Sequence, residues 1–138
     1  VISTGHYLLP VFSYGVIGAG GVFSAASSAS TSDELSKQIQ GAESKVLVCV
    51  EATRDVSVKA AEEAGWGKGG GERVIVMSEG AHEEWSLKVV QQNGGLGPNL
   101  IDEKKRLRWE RITDAETLDN SLVVLIYSSG TTGLPKGM

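Results

Sequence analysis

Apolar and polar positions along this chain switch between two periods. Over residues 6–19, Leu8, Leu9, Phe12, Val16 and Ala19 recur at helical spacing. Pro10 fits such a helix in its first turn, where amide donors have no intrahelical partner. Gly20 and Gly21 follow as terminators, because glycine takes the left-handed conformation that closes a helix. "GVFSAA" (21–26) predicts a short strand. Thr31 and Glu34 have the spacing of a capping box, and Leu35, Ile39 and Ala42 form one apolar stripe, with Gly41 as the expected stop. Residues 46–50 are continuously apolar, as in a strand covered on both faces.

The pattern then repeats. Residues 56–64 suit a helix, 65–71 ("GWGKGGG") a flexible surface loop, and 73–77 ("RVIVM") another buried strand. A helix is expected over 83–93, then a polar loop with one short helix over 102–107. The run "LVVLIY" (122–127) is the strongest strand signal in the chain. Helices alternating with wholly apolar strands predict an α/β unit with a mainly parallel sheet. In such sheets ligands bind beyond the carboxyl ends of the strands.

Composition narrows the function classes. At 138 residues the chain suits one domain, and 41% apolar with 22% charged residues is ordinary for a globular protein. A net charge of −4 offers no basic field for nucleic acid. No apolar stretch reaches the ~18 residues of a membrane span. The start has neither a secretory signal nor an initiator Met, so residues preceding Val1 are expected. The single Cys49, inside "VLVCV", reads as a small buried apolar residue. His6 and His82 lie far apart without a nearby Cys or a clear carboxylate cluster, so solvated or packing roles are expected and no metal ligand is assigned.

The chemistry concentrates in "YSSGTTGLPKG" (127–137). Gly130, Gly133 and Gly137 let the backbone approach a ligand closely. Ser128, Ser129, Thr131 and Thr132 add hydroxyl donors, and Lys136 adds a positive charge suited to phosphate. The set describes a polyphosphate clamp without a nucleophile. It is not a Walker loop: four residues on from Gly130, the second glycine that motif requires is replaced by Pro135, and Lys136 is followed by Gly137 rather than Ser or Thr.

The run closely resembles the signature loop of the adenylate-forming enzymes, which include acyl- and aryl-CoA synthetases, 4-coumarate–CoA ligases, peptide-synthetase adenylation domains and beetle luciferase. The segment from "PVFSYGVIGAGGVFS" to "KVLVCV" resembles the family's early region more weakly, with "SSAS" where members usually carry Asn-Pro. The resemblance implies that residues 1–138 are part of the large N-terminal domain of such an enzyme, truncated at both ends, with an incomplete sheet and an open edge. It implies ATP and magnesium, a carboxylic acid and coenzyme A as reaction partners, and a cytosolic or peroxisomal setting.

By the same resemblance Ser128, Ser129, Gly130, Thr131, Thr132 and Lys136 contact the β- and γ-phosphates. Gly133, Pro135 and Gly137 shape the loop, and Tyr127 ends the strand. The family's adenine, acyl, magnesium and catalytic-lysine segments follow this loop, so no catalytic residue is expected in the chain and it should be inactive alone. The wording of the loop leans toward CoA ligases over peptide-synthetase domains. The alternatives are a nucleotide- or phosphate-binding module without catalysis, and an incomplete gene product without function of its own.

Two other motifs read as structure. "GWGKGG" (65–70) has dinucleotide-loop letters but follows a helix and precedes a strand, the reverse of that motif. The basic run 102–111, with Trp109 inside it, is interrupted by acids and reads as a solvated face.

Overall fold

The computed structural model describes residues 1–79, 85–102, 104–109, 111–128 and 136–137. The elements run α1 (Leu9–Gly18), β1 (Phe23–Ser24), α2 (Ser32–Gly41), β2 (Leu47–Val50), α3 (Arg54–Glu63), β3 (Val74–Glu79), β4 (Trp85–Val90), β5 (Leu96–Asn99), α4 (Ala115–Asn120), β6 (Val124–Leu125), β7 (Tyr127–Ser128) and β8 (Lys136–Gly137). This is the expected α/β class with a partly parallel, incomplete sheet. β2 pairs with β3 in parallel, and β4 and β5 add antiparallel strands at the margin. β6 pairs in parallel with β1.

The first residues join these two groups. Ile2 bridges Ala26 and Cys49, both in parallel, so the start of the chain runs between β1 and β2. Its amide donates to the Val48 carbonyl at 2.9 Å, and the Val1 carbonyl accepts from the Ala26 amide at 2.7 Å. The parallel order across the centre is therefore β6, β1, the Ile2 segment, β2, β3.

Helices cover both faces of this sheet. Alternation along the strands sends Ile2, Leu47, Cys49, Val74, Val76 and Val90 toward α2 and α3, where Leu35, Ile39, Ala60 and Ala61 complete one core. Val48, Val50 and Met77 point the other way and pack on Leu8, Leu9 and Phe12. Burial on both faces explains why β2 is apolar at every position.

Local signals account for the helix ends. Thr31 and Glu34 form the expected capping box: the Glu34 amide donates to Thr31 Oγ1 at 3.3 Å, and the Thr31 amide to Glu34 Oε2 at 2.8 Å. Pro10 lies in the first turn of α1. Gly21 donates to Val16 and Gly20 to Ile17, a Schellman closure with Gly20 at φ +77°. α2 closes in the same way, but it runs through Gly41, and its left-handed residue is Glu43 (φ +48°).

Several expectations are corrected. Residues 85–90 form a strand where a helix was expected over 83–93. Val89 and Val90 favour extended backbone, β3 offers an open edge, and the Gln91–Gly95 pairing turns the chain back into β5. The Asn93-Gly94 pair is the sequence signal for that hairpin. Pro98 is tolerated because β5 is the last strand of its sheet.

No helix forms among the described residues of 102–107. Asp102 accepts from the Lys104 and Lys105 amides at 3.0 Å each, closing a single turn that competes with helix. The helix lies further on, at α4, where Asp114 caps the Thr117 amide at 2.8 Å. The run 122–127 is not a long buried strand. It divides into β6 and β7, and Leu122, Val123, Val124 and Ile126 are exposed, because among the described residues β6 pairs with β1 alone.

The glycine loop is packed rather than loose. Residues Lys68–Gly70 form a 3-10 turn with Gly69 and Gly70 buried. A Cβ on Gly70 would lie 2.4 Å from Val74 Cγ2 and 3.2 Å from Ala61 Cβ, at φ +75°. Trp66 packs on the core beneath Arg73, whose guanidinium carbon is 5.6 Å from the ring centre. Cys49 is fully buried, as expected.

Two predictions follow from this packing. Gly70→Ala should cost about 2–4 kcal/mol, from left-handed strain plus overpacking. Gly65→Ala, also left-handed but with nothing within 4 Å, should cost only about 1–2 kcal/mol, the strain alone. Urea unfolding of the two variants checks the difference, and equal costs would show that the turn is not packed. The second prediction is a pH profile. Burial raises the Cys49 thiol from 9.0 to about 11. As pH rises from 9 to 11 the unfolded chain loses the thiol proton first, so stability drops. Stability read from urea unfolding should therefore fall above about pH 9, by on the order of 2 kcal/mol across that range. Stability unchanged between pH 9 and 11 would contradict the buried thiol.

Candidate functional site

The phosphate-type loop begins where the parallel strands end. β6 runs with β1, and β7 follows it after the single residue Ile126. β7 and β8 then pair antiparallel, Tyr127 opposite Gly137 and Ser128 opposite Lys136. The hairpin thus leaves from the carboxyl end of the β1–β6 pair, the edge where α/β sheets hold ligands.

The backbone of three expected site residues is placed by this pairing: Ser128, Lys136 and Gly137 lie in the two strands. Ser129, Gly130, Thr131, Thr132, Gly133 and Pro135 lie outside the described residues, as does His82. Tyr127 opens β7 rather than ending the expected strand, because β6 stops at Leu125. Its hydroxyl reaches back over α2, where a Cβ on Gly41 would meet it at 3.4 Å. Partial burial pushes its phenol above the usual value.

The turn that follows β1 lies at the same carboxyl edge. Ser27 Oγ accepts from the Ala29 amide at 3.2 Å, and the Ser30 amide donates to the Ser27 carbonyl at 3.1 Å. "SSAS" therefore builds a hydrogen-bonded turn in place of the Asn-Pro of the resemblance. The turn delivers Thr31, whose amide holds the Glu34 carboxyl below its ordinary range.

His6, assigned no ligand role from the sequence, follows the Ile2 segment at this edge. Its Nδ1 accepts from the Leu8 amide at 3.2 Å, and its ring stacks on Tyr7 with centroids 5.0 Å apart. Its Nε2 is buried without a hydrogen-bond partner. No spacing motif surrounds it, so only the fold reveals that burial. Among the described residues no group of three or more His, Cys, Asp or Glu side chains could hold a metal. Nor, among them, is any helix long and apolar enough to cross a membrane.

The chain is similar to known proteins over nearly its whole length. The family model described as "AMP-binding enzyme" matches residues 5–138. A provisionally named acyl-coenzyme A synthetase of Emericella nidulans is 41% identical over 137 residues, covering 99% of this chain and 23% of that protein. A 4-coumarate–CoA ligase-like protein of Oryza sativa subsp. japonica is 32% identical, covering 94% of this chain and 20% of its own length. The acyl-CoA ligase azaF of Aspergillus niger is 29% identical, covering 88% and 22%. The chain thus spans about a quarter or less of the curated relatives it matches. A family match of this extent makes the chain a member of the AMP-binding, adenylate-forming enzyme family.

Proposed function

We propose that residues 1–138 are part of the adenylation domain of an ATP-dependent carboxylate–CoA ligase, with residues 127–137 as its phosphate-binding loop. The observation that carries this reading is "YSSGTTGLPKG", bracketed by the β7–β8 pairing. The names of the relatives above support CoA as the acceptor over a peptide-synthetase role.

In the proposed reaction a substrate carboxylate oxygen attacks the α-phosphorus of ATP. The bond to the bridging oxygen breaks, and pyrophosphate departs from an acyl-adenylate. The thiol of CoA then attacks the acyl carbon, AMP leaves, and a thioester remains. The loop acts on the first step. Backbone amides, the hydroxyls of Ser128, Ser129, Thr131 and Thr132, and the Lys136 ammonium stabilise the charge that builds on pyrophosphate. Gly130 lets the backbone approach the phosphates, Gly133 and Gly137 permit the bend, and Pro135 stiffens it. Magnesium would arrive on the triphosphate, whose charge it neutralises, and no residue of this chain is assigned to it.

None of these groups is assigned as a nucleophile with a base beside it, and in the first step the nucleophile is the substrate's own carboxylate. The loop's donors act on the leaving pyrophosphate alone, and the 138 residues are expected to hold triphosphate without forming acyl-adenylate.

Thermal unfolding with and without ligand tests this. Mg-ATP and tripolyphosphate should raise the melting temperature, with stabilisation reaching about 2.7 kcal/mol at a ligand concentration of 100 times Kd. AMP, which lacks the β- and γ-phosphates, should shift it less. Lys136→Ala should abolish most of the triphosphate shift while leaving the unliganded stability within about 0.5 kcal/mol of the parent. A shift that survives Lys136→Ala would remove the clamp assignment. Hydroxamate trapping with ATP, magnesium and a panel of aryl and fatty acids should give no acyl-adenylate, and appreciable product would overturn the claim of inactivity.

A further inference from the structure

Gln38 and Gly41 lie three residues apart in α2, on one side of the helix. Gln38 Nε2 donates to Ser24 Oγ at 3.3 Å and to the Ala25 carbonyl at 3.1 Å, so this side is tied to β1. Ser24 stands opposite Leu125 in β6. Side chains alternate along an extended chain, so Tyr127 comes to the same face as Leu125 and Ile126 to the other. The Tyr127 hydroxyl lies against Gly41, 3.4 Å from where a Cβ would stand.

We infer that Tyr127 is a positioning residue: its phenol, laid across Gly41, fixes how the β7–β8 hairpin leaves the sheet, and with it the approach of the 129–135 segment to an anion. The consequence for anion binding rests on the ligase reading above. The contact itself does not.

Three observations support it. The footing is rigid. Leu35 and Ile39 are buried in the core, Thr31 caps the start of α2, and the Ser44 amide closes its end on the Ile39 carbonyl at 3.0 Å. The connection that needs bracing is slender. Ile126 alone joins β6 to β7 and is 64% exposed, whereas Tyr127 is half-buried. Tyr127 also stands opposite Gly137, so holding one strand of the hairpin holds the other.

The third observation is Gly41 itself. It is exposed, it sits in regular helix, and its φ is not positive. Its backbone therefore does not call for glycine, which weakens a helix. What the missing side chain supplies is room for the phenol. Alanine would only touch the hydroxyl, and a branched side chain would take its place.

Gly41→Val tests this from the α2 side, without altering the loop. Valine is a better helix former than glycine, so α2 persists, and Gly41→Ala is the control that keeps the phenol in place. Amide hydrogen exchange by NMR on the ligand-free 138-residue chain should be on the order of tenfold faster at the β7–β8 pairing in Gly41→Val and in Tyr127→Ala. It should stay at the parent's rate there in Gly41→Ala, and at the β2–β3 pairing in all three. Parent-like exchange at β7–β8 in Gly41→Val or Tyr127→Ala overturns the inference, as does a rise that reaches β2–β3 equally.

Calorimetric titration with tripolyphosphate reads the consequence. Kd should weaken about tenfold in Gly41→Val, because the hairpin is no longer held ready for the anion. Adding Gly41→Val to Tyr127→Ala should weaken it no further, since both act through one contact. An unchanged Kd in Gly41→Val, or additive losses in the double variant, overturns the inference. A parent chain that does not bind tripolyphosphate removes the ligase reading instead, and the exchange comparison then decides the role of the phenol alone.

Discussion

The rest of the fold depends on the backbone ladder at Ile2. This one residue, fully buried, pairs with Ala26 on one side and Cys49 on the other. Without it the β1–β6 pair and the β2–β5 sheet would have no strand between them. Thr53 Oγ1, buried at the start of α3, lies 3.3 Å from the Ile2 carbonyl and 3.1 Å from that of Val50. Ser57 then donates to the Thr53 carbonyl at 2.7 Å. The central strand is thus tied to the helix layer by hydrogen bonds as well as by packing, and each of these buried polar groups has a partner.

That constraint explains the layering. Two apolar faces are needed because parallel strands carry helices on both sides. α2 and α3 supply one and α1 the other. The turns between layers must be short and closed, and the three Schellman ends do this at Gly20, Glu43 and Gly65. Two of the three use glycine. Glu43 holds φ +48° with a side chain, which costs roughly 1 kcal/mol relative to glycine. The buried Gly69–Gly70 turn follows the same logic, since only a residue without Cβ lets the chain pass between Ala61 and Val74 on its way into β3.

Signals within one element were legible in the sequence. The Thr31/Glu34 box, Pro10 in a first turn, the Gly20 terminator and the apolar runs of β2 and β3 each follow from residues a few positions apart. Features that need distant partners were not. Leu87 and Val90 are three apart and satisfy a helical stripe, and only pairing with β3 makes them strand residues on opposite faces. The run 122–127 has the apolar character of a covered strand, yet burial depends on neighbours the run does not encode. Val1 and Ile2 carried no signal at all, because two apolar residues have no period. For the site the balance was reversed. Residue types alone suggested the loop's chemistry, which stands as a proposal, while the hairpin register of Ser128 and Lys136 required the fold.

That register bears on the proposed clamp. Pairing Ser128 with Lys136 sets the backbones of these two residues one strand spacing apart, about 5 Å. The hairpin in turn hangs from β6, and β6 from β1. The geometry of the clamp therefore depends on the ladder at Ile2. A change that loosens the central strand should weaken triphosphate binding even though it touches none of the loop's donors.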